Sequence, residues 1–173
     1  MINQGPTIVS DVVDVYIFRR TPGPDRFAFL QLLRSRAPLL GTWQPVMGHI
    51  EPGETAVATA LREVAEEVGL MIETRAGRAQ MVQFFAIEQV HPFFLAEQNM
   101  VVQSPRFGLE VGPRWEAVLN HEHSAARWVS GCEAHAFAWP GQLACVREVM
   151  AMATRGLVEG LRPQAWTTSE QTR

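Results

Sequence analysis

Between Thr55 and Val68 the chain keeps a helical period. Val57, Ala60, Leu61, Val64 and Val68 recur at spacings of three and four, and no Gly or Pro interrupts them. Gly69 supplies the stop. On either side the pattern is that of strands. Residues 8–18 are β-branched and aromatic without a breaker, which predicts a strand. Thr21–Asp25 is a turn cluster, and Phe27–Leu33 predicts the second strand of a hairpin. After a loop over Pro38–Thr42, Trp43–Met47 predicts a short extended segment running into Gly48. Gln80–Leu95 predicts one or two strands broken near Pro92, Asn99–Gln103 another, and Ala126–Val129 a short one. Pro105–Asn120 is poorly patterned. Cys132–Ala138 and Pro140–Arg155 read as helices, the second with an apolar stripe of Leu143, Val146, Val149 and Met150 and with Gly156 to end it. Strands around one central helix, with helices last, predict an α/β or α+β domain on a mixed sheet.

The chain has 173 residues, 47% apolar and 19% charged, which is the composition of a globular domain able to bury a core without disulfides. The expectation is one domain over residues 1–162 and a loose polar tail over 163–173. No run of about 18 apolar residues occurs, so no spanning helix is expected. Residues 1–6 lack the basic start and apolar run of a signal peptide, and there are two cysteines, Cys132 and Cys145, so the expected location is cytoplasmic. The net charge of −3 argues against a nucleic-acid coat or a membrane-surface protein. All 15 basic residues are Arg. Lysine chemistry is therefore excluded, and phosphate would have to be held by Arg, backbone N–H groups or a metal.

Glu63, Glu66 and Glu67 sit at i, i+3 and i+4 of the predicted helix, so their carboxylates share a face. The pair four apart repels by roughly 0.2–0.5 kcal/mol. The three also lie in the C-terminal half, where the helix dipole disfavours anions. A hard divalent cation reverses both penalties, and carboxylates suit Mg²⁺ or Mn²⁺. The Gly-Pro-Gly-rich loop before the helix lets backbone carbonyls approach the same place.

The stretch Gly48-His49-Ile50-Glu51-Pro52-Gly53-Glu54, continued through Arg62-Glu63-Val64-Ala65-Glu66-Glu67-Val68-Gly69-Leu70, resembles the Nudix box. That motif reads Gly-x5-Glu-x7-Arg-Glu-U-x-Glu-Glu-x-Gly-U, with U bulky and aliphatic, and all its fixed positions match. The resemblance implies an α/β/α sandwich with a mixed sheet and hydrolysis of a nucleoside diphosphate linkage with a divalent metal, Mg²⁺ or Mn²⁺. It implies Glu63, Glu66, Glu67 and the Gly48 carbonyl as metal ligands, with Glu63 also a candidate for activating water. It implies a Glu54–Arg62 ion pair fixing the loop to the helix. Downstream, Asn120-His121-Glu122-His123 followed by Arg127-Trp128-Val129 resembles the Glu-His…Trp segment of many members, which implies Glu122 as a further ligand. His49, His91 and His135 carry no motif and read as surface or packing residues.

Trp43-Gln44 just before the box resembles the members that cleave triphosphates, including dihydroneopterin triphosphate and deoxynucleoside triphosphates. Trp43 and Gln44 are therefore candidate substrate contacts, with Trp43 able to stack on a base or pterin. Arg34 is a candidate phosphate contact. ADP-ribose members carry Pro some way past the box, where this chain has Phe84-Phe85-Ala86. Dinucleoside polyphosphate members often carry Tyr there, and the one Tyr is Tyr16. The expectation is a nucleoside or pterin triphosphate cleaved to a monophosphate plus pyrophosphate. The alternatives are another nucleoside diphosphate derivative or a nucleotide-binding module without catalysis. The box keeps every glutamate, which favours an enzyme. The partner expected is a small-molecule nucleotide, and the oligomeric state stays open.

Overall fold

A computed structural model describes residues 5–155 except 24, 38, 90 and 138. The expected tail over 163–173 and the Gly156 stop lie outside the described residues. The fold is a mixed seven-stranded sheet with a small three-stranded sheet beside it. Strands β1 (Thr7–Val9), β2 (Val12–Arg20), β3 (Phe27–Arg34), β4 (Trp43–Gln44) and β5 (Val46–His49) precede helix α1 (Ala56–Val68). Helix α2 (Arg75–Gln80), β6 (Met81–Ile87), β7 (Phe93–Leu95), β8 (Met100–Val102), β9 (Arg106–Val111), β10 (His123–Ser130) and α3 (Pro140–Arg155) follow. The large sheet runs β10-β3-β2-β9-β6, with β2 and β9 parallel.

The gap where β2 and β3 part is what places the site. The two pair only over Phe18–Arg20 of β2. Further back, β5 takes over the same edge of β2, with Val13 opposite Gly48 and Val15 opposite Val46. Strand β4 occupies the matching stretch of β3. Pro45, which has no N–H to donate to a ladder, separates β4 from β5.

Alternation along β2 sorts the core into two layers. Val13, Val15 and Ile17 pack with Leu30, Leu32, Ala60, Val64 and Val68 under α1. Tyr16 and Phe18 pack with Phe29, Phe85, Cys145, Val146 and Val149 under α3. The sheet is thus sandwiched by α1 and α3.

Helix α1 begins where Thr55 Oγ1 accepts the Ala58 N–H at 3.2 Å. It ends at Gly69, whose φ of 72° is left-handed and whose N–H returns to the Ala65 carbonyl at 3.1 Å. Four expectations need correction. The strand over 8–18 is broken at Ser10–Asp11, and its two parts join different sheets. Cys132–Ala138 holds only a 3-10 turn at Ala134–Ala136, because Ser130 Oγ and O capture the N–H groups of Cys132 and Glu133 and turn the chain out of β10. The poorly patterned Pro105–Asn120 contains β9, a central strand buried at all six residues. The short strand at Ala126–Val129 is the middle of the longer β10.

Candidate active site

Gly48 faces α1 from β5, level with Val13. A Cβ there would lie 1.9 Å from Glu63 Cδ and Oε1. Only a residue without a side chain lets the Glu63 carboxylate sit against this backbone.

Arg62 organises the loop. It donates to Glu54 from Nε at 2.9 Å and from NH2 at 3.1 Å, and to the His49 carbonyl at 3.0 Å. Thr59 Oγ1 donates to Glu54 at 2.8 Å. These bonds, the Arg62 pair first, hold the Glu54 carboxyl down at about 2. Arg62 NH1 also reaches Glu63 at 2.7 Å and Glu66 at 3.3 Å.

Glu67 is different. It is 2% exposed, and its Oε2 is buried with no partner among the described residues. Burial first, then the neighbouring Glu63, pushes its carboxyl up to about 9, with Glu122 adding to the rise and Met47 N–H and Arg34 opposing it. Glu63 is also raised, chiefly by burial, against the pull of Arg62. Glu66 is exposed.

Glu122, just before β10, supplies an acid from the opposite side, within range to raise both Glu63 and Glu67. It is paired with Arg34 NH1 at 2.5 Å. The structure thus brings together Gly48, Glu63, Glu67, Glu122 and Arg34, with Arg62 and Glu54 bracing the loop and Glu66 on the outer side.

Trp43 and Gln44 part company. Gln44 lies opposite Leu32, on the α1 face, and is 1% exposed with Oε1 unpartnered among the described residues. Trp43 is on the α3 face, where the Arg127 guanidinium lies 4.1 Å over its ring while bonding Gln31 Oε1.

Two residues that the sequence did not assign to the site, Asn120 and Ser35, hold Glu122. Asn120 Oδ1 accepts the Glu122 N–H at 3.0 Å, and Ser35 donates to the Glu122 carbonyl from N and Oγ, both at 2.8 Å. The Asn-x-Glu spacing was the one available signal, being that of an Asx turn.

The donors fit a hard divalent cation in type, and the partnerless Glu67 oxygen is the kind of atom such an ion satisfies. The carboxylates are not gathered as a finished cage. Among the described residues no three His, Cys, Asp or Glu side chains converge; Glu63 and Glu66 pair with Arg62, and Glu122 pairs with Arg34.

A loop braced by an ion pair feeds a helix of acids faced by a fourth acid and an Arg, an arrangement that can offer oxygen ligands to a hard cation and a guanidinium to a phosphate. Residues 10–149 match the family model described as NUDIX domain, and the chain belongs to the Nudix family. It is a Nudix hydrolase, an enzyme acting on phosphoric anhydride bonds. It is 30% identical over 145 residues to the asymmetrical bis(5'-nucleosyl)-tetraphosphatase of Sus scrofa, covering 81% of this chain and 88% of that protein. In fold it is similar to an Ap4A hydrolase binary complex from C. elegans, with a TM-score of 0.65 and 23% identity over 86% of this chain and all of that one. It is also similar to the E. coli dihydroneopterin triphosphate pyrophosphohydrolase, with a TM-score of 0.59 and 21% identity over 83% and 96% of the two chains. No helix among the described residues is long and apolar enough to cross a membrane.

Proposed function

We propose that this chain hydrolyses the polyphosphate of a nucleotide with Mg²⁺ or Mn²⁺, and that a dinucleoside tetraphosphate is its substrate class. The carrying observation is the buried Glu67 carboxyl, whose Oε2 is unpartnered among the described residues and which lies in electrostatic range of Glu63, Glu122 and Arg34. The likeness to the pig enzyme spans most of both chains, and it outweighs the single missing Tyr near Phe84.

Glu63, Glu66, Glu67, Glu122 and the Gly48 carbonyl would hold the cation, which supplies charge neutralisation on the phosphate and a more acidic water. The protein's own part is positioning and electrostatics. Arg34 stands where a phosphate oxygen would compete with Glu122 for its guanidinium. Glu63, raised by burial, is suited to take a proton from the attacking water at its carboxylate. Glu54 and Arg62 keep the loop against the helix and do not touch the reacting phosphorus.

A second reading, cleavage of a nucleoside or pterin triphosphate to a monophosphate plus pyrophosphate, is favoured by Trp43-Gln44 before the box. The deciding experiment is product chromatography on a panel of diadenosine tetraphosphate, nucleoside triphosphates and dihydroneopterin triphosphate, with Mg²⁺ and with chelator. The expected result is Mg²⁺-dependent, unequal cleavage of the tetraphosphate in preference to the others. Preference for a triphosphate with pyrophosphate release selects the second reading. Tight binding without turnover of any member overturns both.

A further inference from the structure

Among the described residues, the two acidic arms of the site come from α1 and from the loop before β10, which are distant in sequence. Something must fix their separation. The C-terminal carbonyls of a helix need partners from outside it. Here Val118 N–H bonds the Val68 carbonyl at 3.0 Å and Asn120 N–H bonds the Glu67 carbonyl at 3.3 Å. The end of the acid-bearing helix is therefore fastened to residues 118–120.

Asn120 then reaches forward. Its Oδ1 accepts the Glu122 N–H at 3.0 Å and faces His123 Nδ1 at 3.3 Å. With the proton on Nδ1, His123 donates to the same oxygen, which fixes which end of the amide faces Glu122. His123 is 5% exposed, so its ring is held in place by its surroundings. One residue thus links the backbone of Glu67 to the backbone of Glu122.

The residue type matters as well. The task needs a short side chain with an acceptor that closes onto the N–H two residues on. Asp would do this but would add a negative charge beside Glu122 and the C-terminal end of α1. Asn supplies the oxygen without the charge.

We infer that Asn120 is a positioning residue that sets Glu122 opposite Glu67 by joining the end of α1 to the loop before β10. The inference rests on the reading of Glu122 as a cation ligand. It makes Asn120 act through Glu122, not on substrate. Losing such an outer partner typically weakens metal affinity by roughly 10–100-fold.

The test is Mn²⁺ affinity by EPR of the free ion, with turnover and thermal midpoint measured in parallel, on Asn120→Ala, Asn120→Ser and Glu122→Gln. The expected result is about tenfold weaker Mn²⁺ binding and a lower kcat in folded Asn120→Ala, largely restored in Asn120→Ser, whose hydroxyl can close the same turn. A lowered midpoint with Mn²⁺ affinity unchanged means a turn residue only, and overturns the inference. A loss that Asn120→Ser does not restore also overturns it. If Glu122→Gln weakens Mn²⁺ binding while Asn120→Ala does not, this inference fails and the reading of Glu122 stands. If Glu122→Gln itself leaves Mn²⁺ binding unchanged, the reading of Glu122 fails and carries this one with it. Should Asn120→Ala not fold, Asn120→Gln takes its place, since it moves the amide one methylene out of reach of the turn. Wild-type affinity in folded Asn120→Gln is then the overturning result.

Discussion

Gly48 shows what a missing side chain can do. Its replacement by Ala puts a methyl where the Glu63 carboxylate now sits, 1.9 Å from Cδ. Backbone cannot give way easily inside β5, so Glu63 must swing out. Gly48→Ala should therefore lower turnover by about tenfold or more, the usual scale for a misplaced catalytic group, while the thermal midpoint changes little. Gly53 is the contrast. Its φ of 89° is left-handed, and a Cβ there meets nothing within 4 Å. Gly53→Ala should cost about 1–2 kcal/mol of stability through strain and leave metal affinity near normal. Equal loss of metal binding in both variants would refute the steric account of Gly48. Glu54 gives a pH signature of definite sign. Its folded pKa, about 2, lies below the ordinary carboxylate value, so the Arg62 and Thr59 bonds favour the ionised form. That contribution is fully present above the unfolded pKa of about 4.3 and is lost as pH falls through about 2. Urea titrations of Glu54→Gln and wild type should differ above pH 5 and converge towards pH 2. A gap that stays constant with pH would assign the effect to packing.

At the scale of elements, β9 carries the sharpest prediction. Arg106 on β9 donates to Asp14 Oδ2 on β2 at 2.8 Å, with side-chain exposures of 4% and 7%. It also reaches Cys145 Sγ on α3 at 3.2 Å. This pair joins the parallel strands β2 and β9 under α3. Arg106→Met leaves Asp14 buried without its partner and should destabilise by about 3–5 kcal/mol at pH 7, with most of the loss recovered in the double variant Asp14→Leu/Arg106→Met. Burial already raises the Asp14 pKa even with Arg106 present. The single-variant loss should therefore shrink as pH falls through the raised folded pKa, and vanish below the unfolded value of about 3.9, where the carboxyl is protonated folded and unfolded alike. No recovery in the double variant would mean the guanidinium matters mainly for packing. The same strand shows why the sequence was legible only in part. Helix α1 declares itself through its apolar period, and the β2–β3 hairpin through β-branched and aromatic runs on either side of a Pro-Gly turn. In β9 the alternate residues Arg106, Gly108 and Glu110 face inward too, against Asp14, the Phe85 ring and Arg20, so a buried strand reads as an unpatterned loop. Helix α2 carries no apolar stripe and is set by its Thr74 cap. In the site, the box residues were legible because the motif fixes their spacing. The joint action of Asn120 and Ser35 on Glu122 was not, since it depends on how β3 and the end of α1 meet in space.

For the whole molecule, stability and chemistry are housed separately. The apolar layers under α1 and α3 cover both faces of the sheet, and neither includes a site carboxylate. A chain of this length can fold on such a core without a metal. The site itself works against folding when empty, because Glu67 is a buried acid beside other acids. Chelator should therefore leave a cooperative urea transition with its slope unchanged, since the slope follows the surface exposed on unfolding. Added Mg²⁺ should raise stability only by mass action, about 1.4 kcal/mol when the free ion is tenfold above its Kd. Glu67→Gln sharpens the test. It keeps size and removes an acid whose folded pKa of about 9 means it must take up a proton to be buried at neutral pH, so in chelator the variant should be at least as stable as wild type. It should also lose the Mg²⁺ increment and nearly all turnover, because a neutral amide replaces an anionic ligand. Unfolding of wild type in chelator would instead assign the metal a structural role. A full Mg²⁺ increment and normal turnover in Glu67→Gln would remove Glu67 from the cation site, and the partnerless oxygen would need another explanation.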